Sequence, residues 1–169
     1  DSVIFPGAND NASGVAMLVY LMDYYSKNKP EYNLVFMAFG AEEVGILGSK
    51  YYVENPLFPL EKIKFLINCD ISGTGDEGIT VVNGTIHKKE FKQLTKINAK
   101  KGYLAKVKIR GRTSNSDHFW FSQRQVPAFF IYTMGGIKAY HDIYDRGETL
   151  PLTAFTDYSK LLIDFICTF

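Results

Sequence analysis

Apolar and polar positions follow two rhythms along this chain. From Ala12 to about Asn28, the residues Val15, Leu18, Leu21, Met22 and Tyr25 recur at spacings of three and four, which predicts a helix with one apolar face, closed by Lys29 and Pro30. Tyr32 to Phe39 is then a continuous apolar run with β-branched and aromatic members, the pattern of a strand covered on both faces. Ile63 to Asn68 and Pro127 to Thr133 repeat that pattern, and Ile79 to Val82 is a shorter version of it. Helical spacing returns near Ile46 to Tyr52, over Lys88 to Lys100, over Ser116 to Gln123, and from Ala154 to Phe169 on Phe155, Tyr158, Leu161, Leu162 and Phe165. Strands alternating with helices predict an α/β fold with a mostly parallel sheet flanked by helices.

Composition narrows the function classes. The 169 residues, 46% hydrophobic and 22% charged with a net charge of +1, are the size and make-up of one globular domain over 1–169. There is no basic excess for nucleic acid, and no apolar run approaches the roughly 20 residues of a membrane span. The two cysteines, Cys69 and Cys167, lie too far apart in sequence for a zinc-knuckle spacing. Partners must therefore be read from the site.

In an open parallel sheet, ligands bind beyond the carboxyl ends of the strands. The residues there are metal-ligand types: Glu42 and Glu43 after the first run, Asp70 after the second, His141 with Tyr140 after the third, and Asp10 in the loop before the first helix. Taken singly, each has an ordinary explanation: Asp10 as a helix cap, Glu42 and Glu43 as a solvated acidic turn, His141 as a surface histidine. Asp70, ending an apolar strand, needs a partner or a proton. Taken together, carboxylates crowded at one edge repel unless a cation joins them, and mixed carboxylate and imidazole donors without cysteine suit catalytic zinc.

The segments PGANDNASGVA, AFGAEEVGILGS, NCDISG, SDHFWF and YHDIYD resemble, in order and across nearly the whole chain, the signatures of M28 zinc aminopeptidases, co-catalytic di-zinc exopeptidases. The resemblance implies a zinc-exopeptidase architecture, with Asp10 bridging two Zn2+ ions, Asp70 completing one site, and Glu43 with His141 completing the other. Glu42 would be the general base and Tyr140 a support for the tetrahedral oxyanion; the substrate would be a peptide, cleaved at its N-terminal residue. Ser116, Asp117 and His118 are consecutive and so cannot form a nucleophilic triad; Asp117 is expected to support the metal ligands and His118 to be structural. Arg112 is expected to be a solvated loop arginine, with contact to a substrate carboxylate as the alternative, and His87 an exposed residue starting a helix. Phe119, Trp120, Phe121 and Tyr140 point to an apolar pocket or to core.

Family members carry an HxD motif just before the PGANDN-like loop. Asp1 resembles its aspartate, which would put the histidine two positions upstream along with N-terminal strands, so the chain reads as truncated, binding one zinc or none. Missing strands would leave a sheet edge open to self-association. Relatives are commonly exported, which implies a secreted or periplasmic location. Two other readings accompany this one: a non-catalytic M28-like interaction or receptor domain, and a single-zinc glutaminyl cyclase-like enzyme.

Overall fold

A computed structural model describes residues 3–169, so the assignment of Asp1 to the HxD motif lies outside the described residues. Nine principal elements follow in order: α1 (Ser13–Lys27), α2 (Leu47–Glu54), β1 (Leu66–Cys69), β2 (Gly78–Val82), α3 (Lys88–Lys101), β3 (Val107–Ile109), α4 (His118–Gln123), β4 (Ala128–Met134) and α5 (Phe155–Ile166). The strands form one sheet in the order β1-β4-β2-β3.

The sheet is mixed. β1 pairs with β4 in parallel and β2 with β3 in parallel, but β2 runs antiparallel to β4, with Val81 opposite Ile131. The reason lies in the link from Cys69 to Gly78. It is short and contains no helix, whereas a parallel return needs a crossover of a dozen or more residues. The chain therefore turns back, and the carboxyl ends of β1 and β4 share an edge that β2 only enters.

Tyr32 to Phe39 is not a strand: among the described residues nothing pairs with it. Its side chains still alternate as a strand's would. Leu34 and Phe36 pack into the larger core, while Met37 and Phe39 pack into the smaller. Partial packing of these four against both cores goes with the apolar run, although Val35 is exposed; a strand also needs a neighbouring ladder.

The larger core joins α1, α3 and α5 to one sheet face, with Met17, Leu94, Phe129, Ile131, Tyr158 and Phe165 all fully buried. Phe129 and Phe165 stack at 6.0 Å. Each such side chain contributes roughly 1.5–3 kcal/mol by leaving water. The smaller core, around Val53, Phe121 and Val126, joins α2 and α4 on the opposite side. Helix α1 turns inward on Met17, Leu21 and Tyr25, whereas Val15 and Met22, expected on the apolar face, are about half exposed. Apolar residues ring this helix, so spacing alone does not choose its inward face.

Candidate metal centre

Five segments converge at the β1/β4 edge. The loop before α1 is fastened by its own side chains. Asn9 Oδ1 accepts the Gly73 amide at 2.9 Å, Asn11 Oδ1 accepts the Ile71 amide at 3.0 Å, and Ser13 Oγ accepts the Ser72 amide at 2.7 Å. Alternate polar residues of NDNAS thus take the successive amides that follow Asp70, and they set the Asp10 carboxylate beside that strand end. Gly14 is required here, because an added Cβ would run into the Cys69 carbonyl.

The acidic turn is held differently. Amides of Gly45 and Ile46 donate to the Glu42 carbonyl at 3.0 and 2.7 Å, and Trp120 Nε1 donates to the Ile46 carbonyl at 3.1 Å. Ala41, Ile71 and His141 all have positive φ, of 59°, 61° and 49°. Non-glycine residues rarely adopt this conformation, least of all a β-branched one, and here it falls beside Glu42, beside Asp70 and on His141 itself. Local strain at such positions goes with a site whose geometry outranks backbone comfort.

His141 Nε2 lies 3.1 Å from Asp10 Oδ2 and 3.1 Å from both oxygens of Glu43. One ligand atom from each of these three residues falls within 4.8 Å of the others, a grouping that can hold a metal ion. Asp70 stands beside this group: Ser116 Oγ donates to its Oδ2 at 2.8 Å, and Asn68 Nδ2 donates to Ser116 Oγ at 2.6 Å. Asp70 Oδ1 is buried without a hydrogen-bond partner. So is Asp10 Oδ2, whose close approach to His141 lacks hydrogen-bond geometry. Buried carboxylate oxygens without donors fit the lining of a cation site.

Electrostatics point the same way. Burial, and then the charges of Asp70 and Glu43, push Asp10 up to about 6. Burial with Asp70 and Glu43 pushes Glu42 up to about 7, and burial raises Asp70 despite the Ser116 hydrogen bond. A divalent cation removes this mutual repulsion. Asp10, Glu42, Glu43 and Asp70 line one cleft of about 230 Å³, together with Ile71, Arg110, Asn115, Phe130, Tyr132 and Tyr140. The Tyr140 ring stacks on His141 with centroids 3.9 Å apart, and Tyr140 is part of the cleft lining.

A sequence profile of peptidase family M28 matches residues 1–166. The chain belongs to that family. Within it, this M28 chain is 39% identical over 79 residues to "Aminopeptidase YwaD" of Bacillus subtilis strain 168; the match takes in 46% of the chain and 17% of that protein. It is 37% identical over 75 residues to a "Probable zinc metalloprotease" of Pyrenophora tritici-repentis, a match covering 43% of the chain and 16% of that protein. In structure it resembles an aminopeptidase from Aneurinibacillus sp. strain AM-1 with a TM-score of 0.83 and 26% identity, covering 98% of the chain and 40% of that one. The chain thus spans less than half the length of that solved relative.

Other members of the M28 motifs take less obvious places. His118 is fully buried, its ring against Phe130 at 5.1 Å, and burial holds it neutral with its titration pushed down to about 4. Phe121 is core, and of the four aromatics considered for a pocket only Tyr140 lines the cleft. His87 is not freely exposed: its Nε2 accepts the Ala128 amide at 3.4 Å, and its ring packs edge-on to Phe65. Arg112 is exposed and outside the cleft; the arginine that lines it is Arg110.

Two residues were missed. Ser116, set aside as a nucleophile, is the donor to Asp70. Asp145 is buried, and its two oxygens accept the amides of Asn9 at 2.8 Å and Asp10 at 2.9 Å, while its carbonyl accepts the amide of Ala8. It ties the Asp10 loop to the loop bearing His141. The only signal in sequence was an acid four places beyond a candidate ligand.

Proposed function

We propose that this chain is the metal-binding part of a zinc aminopeptidase that releases N-terminal residues from peptides. The observation that carries the reading is the meeting of Asp10, Glu43 and His141 at one point of a cleft that also holds Glu42 and Asp70. The zinc named for a relative and the aminopeptidase activity named for two others support it.

Asp10, Glu43 and His141 would hold one zinc ion, with Asp10 shared toward a second held by Asp70. When bound, zinc supplies Lewis acidity to the scissile carbonyl and to the attacking water. The chain's own groups do the rest. Glu42 takes the proton of the water and returns it to the leaving amine. Tyr140 donates its hydroxyl hydrogen to the oxyanion. Asp145, Asn9 and Asn11 keep the Asp10 carboxylate where two loops meet. Self-association through the sheet edge belongs to the same proposal; β3 is an outer strand, with Lys108 and Ile109 exposed.

The test is bound zinc per chain after dialysis, measured alongside hydrolysis of aminoacyl arylamides, for wild type, Glu43→Gln and His141→Ala. Zinc bound by wild type and lost in both variants, with turnover that follows it, is the expected result. Absence of zinc from wild type favours a non-catalytic domain, and cyclisation of an N-terminal glutamine in place of hydrolysis favours a cyclase.

A further inference from the structure

Among the described residues, the cleft is lined by one permanent cation. Arg110 follows directly on β3, where its amide donates to the Val81 carbonyl at 2.9 Å, and its Nη1 donates to the hydroxyl of Tyr132 on β4 at 3.0 Å. Tyr132 lies two residues beyond Phe130 on the same strand, so both side chains fall on the sheet face that forms the cleft. The guanidinium shares this cleft with four carboxylates, yet among the described residues it forms an ion pair with none of them. Arg110 is solvent-exposed where it lines this acidic cleft, is steered by a tyrosine and, among the described residues, lacks an anionic partner, so it is placed to meet an anion that arrives with the ligand. A guanidinium presents parallel N–H donors that fit a carboxylate, and the Tyr132 hydroxyl fixes its direction.

We propose that Arg110, positioned by Tyr132, is a specificity-determining residue that binds a carboxylate of the peptide substrate. The proposal rests on the aminopeptidase reading for its substrate class, but it assigns a separate part of the cleft. Two sources share this chemistry: the acidic side chain of an N-terminal Glu or Asp, and the terminal carboxylate of a dipeptide.

The experiment uses the zinc-equilibrated full chain. Hydrolysis of glutamyl, glutaminyl and leucyl p-nitroanilides tests the side-chain source, and hydrolysis of leucyl-glycine against leucyl-glycinamide tests the terminal one. Binding of glutamic acid α-amide against glutaminamide, and of the same two dipeptides, is measured by calorimetry as a readout that needs no turnover. Wild type should favour one carboxylate-bearing member over its neutral isostere by about tenfold, the scale of one charge-assisted contact. Arg110→Gln should abolish that preference, Arg110→Lys should restore part of it, and Tyr132→Phe should weaken it. Preference without turnover would keep the carboxylate subsite and reject the aminopeptidase reading. Equal handling of acid and isostere by wild type in both assays would overturn the proposal, as would an Arg110→Gln variant that retains the preference or loses all ligands alike.

Discussion

At the scale of residues, the carboxylates divide into those with partners and those without. Asp145 spends both oxygens on backbone amides, and Asp70 spends one on Ser116. Asp10 Oδ2 and Asp70 Oδ1 keep theirs free, so they are the oxygens open to a metal. Asp145→Ala should therefore weaken zinc binding by about 10–100-fold without removing a ligand, because the Asp10 loop loses its fastening; competition with a chelating dye measures it. Glu42→Gln should keep its zinc and lose about 10²–10⁴-fold in kcat. A loss of zinc in that variant would make Glu42 a ligand instead of a base.

Ionisation adds a prediction with a definite sign. Asp10 titrates at about 6 and Glu42 at about 7, both above their ordinary values near 4. Protons compete with the cation for Asp10, and the cation's charge also drives the proton from neighbouring Glu42, so zinc affinity should rise as pH increases through 5 to 7, with release of protons that buffer-dependent calorimetry can count.

At the scale of elements, α1 shows how packing chooses among faces that spacing leaves open. Met17 is fully buried against the sheet, while Val19 is 59% exposed one half-turn away. Met17→Ala should cost roughly 2–5 kcal/mol in denaturant unfolding, and Val19→Ala should stay within about 0.5 kcal/mol. Equal costs would mean that Val19 is covered in solution, as self-association through this helix would produce. The apolar run at 32–39 teaches the related point: packing on both sides is legible in sequence, but the presence of a hydrogen-bonded neighbour is not.

At the scale of the molecule, the metal-free site opposes the fold. Folded Asp10 and Glu42 hold protons that the unfolded chain has released between about pH 4 and 7; these two groups outweigh buried His118, which gives up its proton on folding in the same range, so the unfolded state binds fewer protons and stability falls as pH rises. Zinc should reverse the trend by binding the folded state alone. A melting temperature of the zinc-free protein that climbs between pH 4 and 7 would contradict this, and so would a zinc-induced rise that shrinks toward neutral pH.

The sequence by itself determined the helices, three of the four strands, and the acidic and histidine residues that meet at the cleft, because periodicity and polar breaks at strand ends are local properties. Five ordered motifs also carried the family. The antiparallel step at β2 and the unpaired run at 32–39 were decided only by tertiary structure, since pairing depends on what lies alongside. So were the roles of Asp145, Ser116 and Arg110. Each acts through a contact with a residue distant in the chain, to Asp10, Asp70 and Tyr132 respectively, and no spacing along one strand or helix records which oxygen will meet which amide once the loops are brought together.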